Sequence, residues 1–203
     1  MNNDKLVKRI IIMLLGNLII GLGIALMSIL NMGVEPYTTL TLGISTFLNM
    51  SLGTFQMGLN AVIMVIAYRI CKDKLGIGTI INLVAIGYII EYANPILSSL
   101  IIGDGELSFA MKLIWVMIGL VVFAFGASLT FVAGLGIGPY DSVGFVICHY
   151  TKMDYKVTRV ISDIACVAIG FGFGSVVGIG TILPALLVGP LIGIFRTKIE
   201  SLV

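Results

Sequence analysis

Two pairs of polar residues sit four positions apart inside apolar runs: Arg159 with Asp163, and Gln56 with Asn60. That spacing puts both members of a pair on one face of a helix. An arginine and an aspartate placed so can bind a charged solute or a coupling ion. They can also simply pair with each other or join helices by hydrogen bonds. Gln56 and Asn60 offer a neutral version of the same chemistry, with donors and acceptors but no charge. Glu35, Thr38, Asp141 and Ser142 stand beside Pro36 and Pro139, in two short stretches that carry acids and hydroxyls. Polar groups at membrane depth are costly to keep, which makes these eight residues the candidates for a substrate or ion path.

Other chemistries find little support. Tyr140-Asp141 has the form of half an intramembrane aspartyl protease dyad, but Asp104 falls in a loop and Asp163 lacks the Gly-x-Gly-Asp setting. No HExxH and no Gly-x-Ser-Gly element occurs in an apolar run, so no enzyme is expected. His149 is the single histidine, next to Cys148. A metal site takes three or four such donors, so neither a metal nor a cofactor is expected. Cys71, Cys148 and Cys166 are odd in number and lie in or beside apolar runs, which suits reduced thiols rather than a disulfide framework. Tyr37, Tyr140 and Trp115 are read as interfacial anchors. Glu91 and Asn94 are placed at the outer end of a helix. Asn82 aligns with Pro184 as either a kink or a site.

The elements that must hold these groups are written in lipid-soluble vocabulary. Of 203 residues, 59% are hydrophobic and 11% charged, against roughly 25% charged in a soluble domain. Mean hydropathy is +1.14. A single membrane domain over residues 1–203 follows. A spanning helix needs roughly 20 apolar residues, and six segments approach this: Ile10–Asn31, Phe55–Ile70, Ile77–Leu97, Lys112–Ala133, Val157–Val177 and Thr181–Phe195. Pro36–Met50 and Pro139–Thr151 are shorter and more polar. With a cytoplasmic N-terminus and six spans, eleven of the twelve Lys and Arg fall inside, Lys112 excepted. The positive-inside rule therefore favours six spans with both termini cytoplasmic.

The chain also repeats itself. Gly33-Val34-Glu35-Pro36-Tyr37-Thr38 returns as Gly136-Ile137-Gly138-Pro139-Tyr140-Asp141, and Gly76-Ile77-Gly78-Thr79-Ile80 returns unchanged as Gly178-Ile179-Gly180-Thr181-Ile182. Offsets of 103 and 102 positions relate the copies, and Gly16, Gly23 and Gly87 align with Gly119, Gly126 and Gly189. Repeat 1 covers about 10–98 and repeat 2 about 112–199. Three spans per copy force the second copy to run the opposite way, so the expected fold is all-α, with six transmembrane helices in two inverted three-helix repeats. Each repeat then carries one short re-entrant or interfacial helix, because irregular backbone at membrane depth survives only against protein or a polar cavity. Pro36 and Pro139 suit helix starts, Gly33, Gly136 and Gly138 permit the reversals before them, and Thr38 or Asp141 can serve the helix ends. At Gly76, Gly78 and Thr79, and at Gly178, Gly180 and Thr181, exposed amides could hold an anion. Tight helix packing explains those glycines equally well.

The elements Leu135-Gly136-Ile137-Gly138-Pro139-Tyr140-Asp141 and Val177-Gly178-Ile179-Gly180-Thr181 resemble those of the YitT/YczE/YyaS group of uncharacterised bacterial membrane proteins. The resemblance covers essentially the whole chain. The first copy departs from it, with Glu35 in place of glycine and Thr38 in place of the acid. The resemblance implies a multi-span protein of the bacterial plasma membrane and implies no substrate.

A small-solute transporter or permease uses the inverted repeat most directly, with its polar site at the seam of the two halves. A solute-binding subunit of a larger transport complex, or a scaffold or regulatory partner that does not transport, would need the same helices. The expected partners are the lipid bilayer and a small solute or ion, with no role for nucleic acid. A chain of this size is thin for enclosing a large cavity, which leaves a homodimer open.

Overall fold

The computed structural model describes residues 3–103 and 105–200, so Asp104 lies outside the described residues. Eight α-helices follow one another among them: α1 (Asn3–Ser28), α2 (Pro36–Phe47), α3 (Leu52–Cys71), α4 (Ile77–Ile101), α5 (Phe109–Ala133), α6 (Pro139–Thr151), α7 (Tyr155–Gly172) and α8 (Ile179–Glu200). A 3₁₀ turn at Lys72–Lys74 extends α3. Local chemistry sets the starts. Ser51, Ser108 and Asp154 accept hydrogen bonds from the first free amides of α3, α5 and α7. Pro36 and Pro139 open the two short helices, where a missing amide proton costs nothing.

Five helices are long and apolar enough to cross a membrane: α1, α3 with its 3₁₀ turn, α4, α5 and α8. The expected span over 157–177 departs from this pattern. Its helix, α7, is 18 residues long, stops at Gly172 and carries Lys156, Arg159 and Asp163. Yet Val157, Val160, Ile164 and Phe171 are exposed on it while Thr158, Ser162 and Cys166 are buried. This is the inverse of a water-soluble helix: apolar side chains point outward and polar ones inward. Exposed Val65 on α3, Leu100 on α4 and Ile114 on α5 continue the same outer surface. Apolar exposure on that scale marks a surface covered by something other than water.

α1 and α5 form the central pair and run antiparallel. A Cβ on Gly16 would come 3.0 Å from the carbonyl oxygen of Gly126, and one on Gly119 would come 2.9 Å from that of Gly23. The glycines that echo one another in the sequence are thus the ones that let these two backbones touch, crosswise. Met27, Ile24, Ile90 and Leu120 fill the core around them. α4 packs on α1 as α8 packs on α5, and α2 packs on α7 as α6 packs on α3. One pairing is not matched: α3 lies against α4, whereas α7 and α8 barely touch.

The two repeated motifs clasp each other. Gly78 N–H donates to the Leu135 carbonyl at 2.8 Å, and Gly180 N–H donates to the Met32 carbonyl at 2.8 Å. Thr79 Oγ1 donates to the Ile137 carbonyl at 2.8 Å. A Cβ on Gly76 would collide with the Leu135 carbonyl, and one on Gly178 would lie 2.6 Å from that of Met32. Gly33 (φ +91°) and Gly136 (φ +118°) make the left-handed turns that present those carbonyls. One amide of each Gly-x-Gly-Thr element, that of Gly78 or Gly180, is therefore spent on the other half's turn, which supports the packing reading of these glycines.

Candidate functional site

The starts of α2 and α6 meet head to head. Tyr37 and Tyr140, one residue past each proline, stack with ring centroids 4.5 Å apart and planes 15° from parallel. They pack on each other rather than serving as interfacial anchors; Tyr37 is buried and Tyr140 partly so. Each hydroxyl then reaches the polar helix that follows in its own half. Tyr37 Oη donates to Asn60 Oδ1 at 2.5 Å, and Tyr140 Oη donates to Asp163 Oδ1 at 2.5 Å. Asn60 and Asp163 are repeat equivalents, so one geometry is built twice, once neutral and once charged.

Arg159 organises the charged copy. Its Nη1 meets Asp141 Oδ1 at 2.5 Å, its Nε stands 3.5 Å from Asp163 Oδ1, and its guanidinium lies 4.3 Å from the Tyr140 ring centroid. The short contact therefore runs between helices, to Asp141 in the first turn of α6, while the intrahelical Arg159–Asp163 pair is the longer one. Tyr155 Oη adds a contact to the Asp141 carbonyl at 3.4 Å. Gln56, the equivalent of Arg159, is 3% exposed and its Oε1 has no hydrogen-bond partner.

Glu35 is buried, and its carboxylate accepts from the amides of Tyr37 and Thr38, each at 2.8 Å, and from the Thr38 hydroxyl. Glu35, not Thr38, caps α2, and its carboxyl sits at the positive end of that helix. Ser142 is also buried, and its hydroxyl is spent on the Pro139 carbonyl at 2.5 Å. Two residues assigned to the outer end of a helix are tied to neighbouring helices. Glu91 Oε2 accepts from Gly53 N–H at 2.8 Å, and Asn94 Oδ1 accepts from the Ser28 hydroxyl at 2.8 Å.

These groups face one cavity of about 330 Å³. Its charged lining consists of Glu35, Asp141, Asp163 and Arg159, and its uncharged polar lining includes Gln56, Asn60, Asn82 and both stacked tyrosines. Asn82 Nδ2 donates to Asn17 Oδ1 at 3.0 Å, so Asn82 belongs to the wall. Ile20, Ile86, Phe123 and Val188 supply apolar surface. A second cleft, of about 180 Å³ beside Gly33 and Gly43, has no charged lining. Of the expected path residues, Asp163, Arg159, Asp141, Gln56, Asn60 and Glu35 come together, while Thr38 and Ser142 support them from behind. Sequence reasoning missed Tyr37, Tyr140 and Tyr155 as lining and left Asn82 between a kink and a site. The shared place of the two tyrosines in the repeat, each 23 residues before Asn60 or Asp163, was the available signal.

Among known proteins, the chain is 29% identical over 195 residues to an uncharacterised protein of Haemophilus influenzae, covering 96% of this chain and 86% of that one. It is 27% identical over 158 residues to the uncharacterised membrane protein YczE of Bacillus subtilis, covering 78% of this chain and 71% of the other. No solved structure matches it. With its apolar, all-helical build and a match over residues 7–197, the chain belongs to the family of unknown function DUF6198.

Proposed function

We propose that this protein is a small-solute transporter of the bacterial plasma membrane, built as two inverted repeats of three spans and one short helix. Both termini are cytoplasmic, and α7 is the sixth span. Its charges face the cavity and its apolar side chains face lipid, so an average over its length understates its fitness to cross. Antiparallel packing of the equivalent helices α1 and α5 supports the inversion, as does the head-to-head meeting of α2 and α6.

The observation that carries the reading is an asymmetry at a symmetric site. Both halves line the cavity with equivalent residues, yet α3 is closed on α4 while α7 stands apart from α8. In the proposed topology the contact of Gly53 with Glu91 lies at the outer end, and its equivalents Lys156 and Gly193 lie at the cytoplasmic end. The parted pair then opens the cavity inward, and exchange of the two arrangements would open it outward.

Cysteine pairs test this. Lys156→Cys with Gly193→Cys, in a background lacking the three native cysteines, cross-links in membranes if α7 closes on α8 during a cycle. Failure to cross-link under any condition, with each single cysteine labelled normally, would count against alternating access. Reporter fusions at Lys72 and Asp104 should fall on opposite sides of the membrane; finding them on one side would remove the inverted topology.

A further inference from the structure

The cavity's charges do not balance. Glu35, Asp141 and Asp163 line it, and Arg159 is the one cationic side chain among the described lining residues. The starts of α2 and α6 add roughly half a positive charge each. Asp141 is matched by Arg159, and burial raises the pKa of Glu35 and so opposes its charge, which leaves the surplus negative charge nearest Asp163. A surplus charge in a partly desolvated site needs a partner.

The size and lining separate the classes of cation. A volume of about 330 Å³ is far more than a bare ion fills and falls in the range of small-molecule sites. Among the described residues no group of three or more His, Cys, Asp or Glu is arranged to hold a metal. Ile20, Ile86, Phe123 and Val188 would accept an apolar body, and tyrosine rings attract cations.

We infer that the cavity binds an organic ammonium monocation, its charged head at Asp163 and its carbon skeleton on the apolar wall. The inference rests on the transporter reading, whose solute it names.

Calorimetric titration of the purified full chain in detergent tests it, with n-butylammonium as probe and butyrate and n-butanol as its anionic and neutral counterparts. Butylammonium should bind at least about tenfold tighter than either counterpart. Asp163→Asn should weaken it by about tenfold or more, while Asp154→Asn, which removes an exposed carboxylate outside the cavity, should change nothing. Butyrate binding as tightly as butylammonium, sodium alone binding, or no amine binding by about 10 mM would each overturn the inference. So would full affinity in Asp163→Asn. The wild-type comparison needs no variant to fold. The two proposals fail separately. Amine binding without cross-linking in the Lys156→Cys, Gly193→Cys double variant would sink transport alone, and cross-linking without amine binding would sink the solute class alone.

Discussion

Gly87 and Gly189 hold the same place in the two halves of the chain and meet different surroundings. A Cβ on Gly87 would come 3.0 Å from Gln56 Oε1 and 3.1 Å from the Gly53 Cα, whereas one on Gly189 would meet nothing within 4 Å. The difference runs through the whole site. The first half is closed and uncharged around Tyr37, Asn60 and Gln56, and Glu35, its one acid on the cavity, serves as a helix cap. The second half is open and charged around Tyr140, Asp163 and Arg159. A repeat therefore gives two similar backbones without giving two similar environments. Evenly packed halves would seal the cavity, and evenly charged ones would double the desolvation cost.

The largest expected effect comes from making the charged half neutral. Asp163→Asn reproduces its equivalent Asn60, and uptake of butylammonium into proteoliposomes should fall roughly 100-fold, the scale on which removing one member of a desolvated charge pair acts. Expression and helix content should not change. Uptake at the wild-type rate in Asp163→Asn and in Asp163→Ala would dissolve the distinction between the halves.

The tyrosines sharpen the comparison at a smaller scale. Tyr140→Phe removes a hydrogen bond to a charged acceptor, worth about 1.5–3 kcal/mol, and Tyr37→Phe removes one to a neutral amide, worth about 0.5–1.5 kcal/mol. Thermal unfolding in detergent should therefore show the larger drop for Tyr140→Phe. The reverse order would mean that Asp163 draws its stabilisation from Arg159 alone.

The glycines give the smallest and most selective effect. Gly87→Ala crowds α3 against α4 and should destabilise by about 1 kcal/mol. Gly189→Ala fills open space and should be neutral or stabilise by a few tenths up to about 1 kcal/mol, as alanine does in a helix. If α7 must close on α8, Gly189→Ala should still slow uptake. Unfolding midpoints and uptake rates measured together check both statements.

Much of the site was legible because repetition and polarity are properties of the chain itself. Asp163, Arg159, Gln56 and Asn60 stood out since a polar residue in an apolar run is conspicuous at any fold. The tyrosines were misread for a physical reason: a tyrosine is at home both at a membrane surface and in a hydrogen-bonded interior. Only the neighbours supplied by another segment decide between those places.

By itself, then, the sequence determined an apolar helical protein, its internal duplication and the turns at Gly33 and Gly136. Hydropathy, helical spacing and the positions of glycine and proline act over a few residues and do not depend on what packs where. The tertiary structure decided the rest: that the glycine-threonine motifs clasp the opposite half's turns, that Tyr37 lies on Tyr140, that Arg159 reaches Asp141 across helices, and that one helix pair is shut while its equivalent is parted. Those outcomes depend on contacts between segments far apart in the chain, where small differences in side-chain volume and charge select between arrangements that local sequence treats alike.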